Sequence, residues 1–289
     1  MLGVSVVPLN SLPPAPLVGK LGRRQILRSG SLLIFCLTAL FAGSPARSIE
    51  IAQNFFVPMP EDQMIASFRA YEATAGPTID SAISIATMQA GTIIVYDHWE
   101  DGYEADLSNP TQASTQIWGD NNPANGMPPG FTTDVITAAN VVALRNLIDT
   151  PRNSGELRFD GRDRIGVTKP VALTRMCWAT NPGSVLAGSY QIQSTLEFGT
   201  QFVVPIGENT PNNAYNEIFE RVEVSVMAAE NGTLIQIDKD NNGSFETTTT
   251  LNAGESFAVA GIRVGAKKKP SKTVQAHLIT GEVGATYES

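Results

Sequence analysis

From residue 51 onward the chain is dominated by short apolar, β-branched or aromatic runs, cut off by Gly, Pro and Asn. This pattern predicts strands at 51–57, 82–87, 92–99, 131–137, 140–144, 170–178, 196–205, 221–229, 233–238, 244–251, 256–264 and 273–280. Asn231-Gly232 and Asn242-Gly243 supply the positive φ angles that hairpin turns require. One stretch has helical spacing instead. Met64, Ile65, Phe68 and Tyr71 share a face of Glu61 to Tyr71, and Glu61 and Asp62 sit in the first turn, where the helix dipole favours them. The pattern therefore predicts an all-β fold, antiparallel strands in a β-sandwich or propeller-like arrangement, with little helix.

The N-terminus reads differently. Residues 1–46 contain no Asp or Glu; they carry Lys20, Arg23, Arg24 and Arg28, then the apolar run Leu32 to Ala42, then Gly43-Ser44-Pro45-Ala46. A positive stretch, a short apolar stretch and small residues at a cleavage position are the order of a secretory signal. The apolar run is too short to span a bilayer, which takes about 20 residues. The expected organisation is a signal peptide at 1–46, a β-rich region with an acidic loop at 47–165, and a β-rich repeat unit at 166–289. The last rests on a similarity between Val167-Thr168-Lys169-Pro170-Val171-Ala172-Leu173 and Pro270-Ser271-Lys272-Thr273-Val274-Gln275-Ala276. On this reading a second repeat has just begun at the chain's end, and further repeat domains follow downstream.

Charge narrows the partners. The net charge is −8, and without residues 1–46 it becomes −12. Such a chain repels a phosphate backbone, so nucleic-acid binding is not expected. The chain has two His and two Cys, and only Cys177 remains beyond the signal, which argues against a disulfide framework and a zinc cluster. Cys177, between Met176 and Trp178, reads as a buried structural thiol. Lys267, Lys268, Lys269 and Lys272 read as a solvated loop.

Two acidic segments carry candidate chemistry. Residues 70–144 contain no Lys or Arg but nine carboxylates, five of them in one loop: Asp97, Glu100, Asp101, Glu104 and Asp106. Carboxylates this dense are solvated, paired with distant Arg, or neutralised by a hard cation. The second segment, Asp238-Lys239-Asp240-Asn241-Asn242-Gly243-Ser244-Phe245-Glu246, follows the first half of a D-x-D-x-N-G calcium loop. Asp238, Asp240, Asn242 and Glu246 would supply calcium with oxygens; the competing reading is an ordinary Asp/Asn/Gly turn. No nucleophile elbow, metalloprotease helix, P-loop or dinucleotide fingerprint is present. Asp97, Glu100 and Asp101 beside Trp99 and Tyr103 leave a carbohydrate-active hydrolase or lectin-like domain as the alternative function.

Several phrases carry a resemblance. The segment Ile94-Val95-Tyr96-Asp97-His98-Trp99-Glu100-Asp101-Gly102-Tyr103-Glu104 resembles one near the N-terminus of large bacterial cell-surface proteins. Lys169-Pro170-Val171-Ala172, Phe198-Gly199-Thr200-Gln201-Phe202-Val203-Val204-Pro205, Ala228-Ala229-Glu230-Asn231-Gly232-Thr233 and Leu251-Asn252-Ala253-Gly254-Glu255 are similar to the N-terminal domain of the IgGFc-binding protein family. The resemblance implies an exported, extracellular or cell-surface, β-rich and non-catalytic interaction module whose partner is a protein or glycan. The mammalian members are cysteine-rich and this chain is not, so no binding residue is carried over. Together with the acidic loops, the expectation is an adhesion module stabilised by calcium, with no membrane span in the mature chain.

Overall fold

A computed structural model describes residues 48–181, 187–211 and 217–284; the signal peptide expected at 1–46 lies outside the described residues. The fold is nearly all antiparallel β, with four small sheets in a propeller-like ring. The first half contributes β1 (Gln53–Phe56), α1 (Glu61–Tyr71), β2 (Thr78–Thr87), β3 (Ile94–Asp97), β4 (Gln116–Trp118), β5 (Asn140–Asp149), β6 (Arg164–Val167), β7 (Val171–Ala179) and β8 (Ala187–Ile192). The second contributes β9 (Phe202–Val203), β10 (Arg221–Ala228), β11 (Thr233–Asp238), β12 (Thr247–Leu251), β13 (Ser256–Ala260), β14 (Lys267–Pro270) and β15 (Val274–Gly281).

The apolar cores join these sheets in pairs. Sheet β1-β6-β3-β4 faces sheet β5-β2-β7-β8 across a core that includes Ile83, Ile85, Ile94, Tyr96, Trp118, Leu144 and Ile165. Sheet β13-β10-β15 faces sheet β12-β11-β14-β9 across Val222, Val224, Val226, Ile235 and Ile237. Alternation along each strand builds these cores: every second residue of β10, from Val222 to Ala228, is in the second one. Each buried Val or Ile side chain contributes about 1.5–3 kcal/mol. Within each pair the chain passes repeatedly from one sheet to the other, so the two sheets pack face to face as in a sandwich.

The two halves share one pairing scheme. In the first, β2 pairs with β5 and β7, β3 with β4 and β6, and β6 with β1. In the second, β10 pairs with β13 and β15, β11 with β12 and β14, and β14 with β9. The similar stretches at 167–173 and 270–276 occupy equivalent places, the passages from β6 to β7 and from β14 to β15. A boundary between 165 and 166 would cut β6 in two; the chain passes from the first sandwich to the second between Ile192 and Phe202.

Several expectations are corrected by tertiary context. Residues 131–137 form no strand, because Asp134 turns inward to accept the N–H groups of Gly119 and Asn122. Segment 196–205 holds a short 3-10 turn at Thr195–Glu197 and only the two-residue β9. Asn231-Gly232 joins β10 to β11, which lie in different sheets, so it makes a sandwich corner and no hairpin. The lysine run is not a solvated loop. It forms β14, where Lys267 and Lys269 face solvent and Lys268 is buried.

Helix α1 spans the predicted residues and buries Met64, Ile65, Phe68 and Tyr71 against Ile79, Cys177 and Ala179. It also touches the second sandwich: Ser67 Oγ donates to Glu223 Oε1 at 2.6 Å, and Ser256 Oγ donates to Gln63 Oε1 at 2.8 Å. Gly254 completes the junction. Its φ of 73° favours glycine, and a Cβ there would collide with the Tyr103 phenol. No helix among the described residues is long and apolar enough to cross a membrane.

Candidate functional site

Both acidic segments leave the third strand of their half. Asp97 ends β3 opposite Arg164, the first residue of β6; Asp238 ends β11 opposite Lys267, the first residue of β14. In each case the carboxylate turns back to accept N–H groups of its own loop. Asp97 takes that of Glu104, and Asp238 takes those of Asn242 and Gly243. The loops differ in length and sequence, which hides this equivalence in the one-dimensional pattern.

The five carboxylates of the first loop are all engaged. Asp97 is buried and bound by Arg164 at 2.7 Å; burial raises its pKa while the guanidinium opposes the rise. The Glu100 side chain is buried, and its Oε1 accepts from Arg152 and from the Arg158 N–H. Burial would raise Glu104, but the N–H groups of Gln112 and Thr111 and the hydroxyls of Thr115 and Thr111 hold it below the usual range. Asp101 accepts from Ser114, and Asp106 caps the Ser108 N–H at 2.8 Å. The other four carboxylates of residues 70–144 also accept hydrogen bonds, Asp80 from Arg145 and Glu72, Asp120 and Asp134 from local donors. Distant Arg and local donors engage each buried carboxylate of the segment, and they leave Glu100 Oε2 without a hydrogen-bond partner.

Beneath this loop lies a cluster the sequence pattern did not reveal. Asp160 and Asp163 are fully buried and come from the segment before β6. Asp163 accepts from the Tyr96 hydroxyl at 2.6 Å and from the Asp160 N–H at 3.0 Å; burial pushes its carboxyl well above the usual range. Asp160 accepts from Trp99 Nε1 at 3.0 Å and from Arg152; burial and then the Glu61 charge push it up to about 7. His98 Nδ1 donates to the Arg158 carbonyl at 3.0 Å, and burial lowers the imidazole's pKa. The available signal was the alternation of acid and base in Asp160-Gly161-Arg162-Asp163-Arg164, which serves a folded-back loop.

A cleft of about 330 Å³ opens between the two sandwiches, lined among others by Asp62, Trp99, Arg152, Arg162 and Glu255. Arg162, at a left-handed φ of 85°, lies over the Trp99 ring at 4.2 Å. The indole face is therefore occupied by a guanidinium and is not free to stack on a sugar. The cleft's carboxylates are also committed. Glu61 pairs with Arg175, Asp62 accepts the Arg152 N–H at 2.9 Å, and Glu255 accepts the Asn252 N–H at 2.7 Å.

In the second loop, oxygens of Asp238, Asp240 and Glu246 lie within 4.8 Å of one another. Asp240 accepts from the Asn242 N–H, Asn242 Oδ1 accepts from the Ser244 N–H at 2.7 Å, and Glu246 accepts from the Lys239 N–H at 2.7 Å. Three of the four predicted calcium ligands thus converge, and Asn242 belongs to the same turn, which its own N–H groups hold closed. Gly243, at φ 92°, permits the reversal. Cys177 is fully buried beside Ser81 and Arg175, and burial raises its thiol pKa, consistent with a structural role.

One broad surface is free of such commitments. On the outer face of β5-β2-β7-β8, Val141, Leu147 and Met176 are 53%, 61% and 42% exposed among the small residues Ala82, Ser84, Ala86, Ala143 and Ala172. On this face Arg145 binds Asp80 and lies over Trp178 at 5.5 Å, and Asp149, at the end of β5, accepts from the Thr78 hydroxyl at 2.8 Å. Comparison of the chain with protein-family models, with curated proteins and with solved structures finds no match.

Proposed function

We propose that this chain is a secreted or cell-surface, non-catalytic interaction module that binds an extracellular protein or glycan. The observation that carries the proposal is the outer face of β5-β2-β7-β8: a four-stranded surface with small and apolar side chains at its centre, with Arg145 paired to Asp80 and with Asp149 at the end of β5, of the kind that marks interaction sites. The resemblance to the IgGFc-binding N-terminal domain and the export-like order of residues 1–46 support the same reading. The hydrolase alternative finds less support. Catalytic carboxylates need access to the glycosidic bond, whereas Glu100 and Asp160 are buried under Arg152 and Trp99. Incubation with a panel of soluble polysaccharides and matrix proteins tests the reading. The expected result is retention of at least one panel member with no release of reducing ends; sustained release of sugar would overturn it.

Calcium at the Asp238 loop belongs to the same proposal. The ion would draw together Asp238, Asp240, Asn242 and Glu246 and relieve the repulsion of three carboxylates. At a hundredfold excess over Kd, binding to the folded state alone adds about 2.7 kcal/mol. For a domain of this size, that is a rise of roughly 5–10 °C in melting temperature over the chelator-treated chain. Asp240→Ala should abolish the rise. Equal melting temperatures in calcium and chelator would reduce the loop to an ordinary turn.

A further inference from the structure

We propose that His98, Glu100 and Asp163 form a binding site for a first-row transition dication of the zinc or manganese kind. His98 Nδ1 lies 4.0 Å from Glu100 Oε2 and 3.7 Å from Asp163 Oδ2, and one ligand atom from each of the three residues falls within 4.8 Å of the others. The residues come from the turn after β3 and the segment before β6, two places that the sheet pairing brings together.

The independent sign of a ligand is Glu100 Oε2. The Glu100 side chain is 2% exposed; its Oε1 holds Arg152 and the Arg158 N–H, but its Oε2 has no hydrogen-bond partner. A buried carboxylate oxygen left without a donor carries a desolvation penalty that a cation at this position would remove. Charge leads to the same place. Glu100 and Asp160 share one guanidinium, Arg152, and Asp163 lies beside them with the Tyr96 hydroxyl and the Asp160 and Trp99 N–H groups as its hydrogen-bond donors. Burial and the mutual repulsion of these acids push the Asp163 carboxyl well above the usual range, and a dication beside it would relieve that repulsion.

The donor set selects the ion. An imidazole nitrogen with carboxylate oxygens suits zinc, manganese and their neighbours, whereas calcium and magnesium prefer oxygen alone. The Arg158 carbonyl, 3.0 Å from Nδ1, stands at the rim as a further oxygen. Nδ1 now donates to that carbonyl, so uptake of the ion through Nδ1 takes the other neutral tautomer, with the proton on Nε2. The surroundings are those of a held site. The Tyr96 hydroxyl and the Asp160 and Trp99 N–H groups orient Asp163, while the Tyr96 and Phe159 rings flank His98 at 5.1 and 5.4 Å. This inference does not depend on the interaction-module reading, and the site is separate from the Asp238 loop.

The test is a titration of the purified, chelator-stripped chain with Mn2+, following the free ion by electron paramagnetic resonance, with Zn2+ and Ca2+ as competitors. The expected result is one bound Mn2+ per chain, displaced by Zn2+ and not by equimolar Ca2+. Affinity should fall at least tenfold in Glu100→Gln, which keeps the acceptor for Arg152, and remain unchanged in Asp240→Ala. Absence of bound Mn2+ and of Zn2+ binding in the parent would overturn the proposal. So would unchanged affinity in Glu100→Gln, loss of the site in Asp240→Ala, or equal competition by Ca2+. The parent titration decides the matter if a variant does not fold.

Discussion

Arg175→Ala should lower the melting temperature by about 10 °C or more. Arg175 stands on β7, points under α1 and is fully buried. Its guanidinium donates to the Pro58 and Met59 carbonyls, to the Glu61 carboxylate and to Ser81 Oγ. Met59 has a left-handed φ of 59° without being glycine, so the turn into α1 depends on these contacts. Removing the guanidinium strands a buried Glu61 charge, apart from the Gly161 N–H, and takes a donor from two carbonyls. Breaking a buried pair on one side costs about 3–5 kcal/mol, and each kcal/mol is worth roughly 2–4 °C for a domain of this size. The double variant Arg175→Met with Glu61→Gln should lose less than Arg175→Ala alone, because no unpaired charge remains. Thermal unfolding of the three chains checks this; a loss under 3 °C for Arg175→Ala would show that Arg175 does not hold the turn.

Lys268→Met should act in the opposite direction, and only at low and neutral pH. Lys268 is 6% exposed, pairs with Ile237 across β14 and β11, and lies over the Phe202 ring at 5.3 Å. Burial lowers its ammonium from 10.5 to about 7. Below pH 7 folded and unfolded chains both carry the proton, and the folded chain bears the whole penalty of a buried charge. Between 7 and 10.5 the folded chain is neutral while the unfolded chain still binds the proton, so this group's destabilisation fades as pH rises. Above 10.5 it is gone. Met has a similar length and no charge. The variant should melt at least about 5 °C above the parent at pH 6, and the gap should close to under about 1 °C by pH 10.5. A gap constant with pH would show that the gain comes from packing and not from the charge.

Lys268 also shows what could be read in the sequence and what could not. Alternating Val and Ile in β10 and β11, and the 3–4 spacing of Met64, Ile65, Phe68 and Tyr71, are local signals, and the elements follow them. Arg-Ile-Gly-Val in β6 and Lys-Lys-Lys-Pro in β14 are short and carry charge, Gly or Pro. They become strands because a partner waits on either side, information that lies far away in the chain. The acidic loop was legible as a place where charge had to be neutralised. Its partners were not, since Arg152 and Arg164 stand 52 and 67 residues from the carboxylates they bind, with no fixed spacing to mark them. Asp238, Asp240, Asn242 and Glu246 were legible as a group because one turn contains them all. His98, Glu100 and Asp163 were not, because two segments must meet before the cluster exists.

The central claim is that the chain acts by binding through the outer face of β5-β2-β7-β8. The most direct measurement compares retention of the parent and of the double variant Leu147→Glu with Met176→Glu on immobilised matrix proteins and glycans. Both positions are exposed, so the substitutions should leave the melting temperature within about 2 °C. The account predicts that the parent is retained on at least one surface and that the folded double variant loses that retention at least tenfold. Retention equal in the two chains, or absent from the parent on every surface, would contradict it.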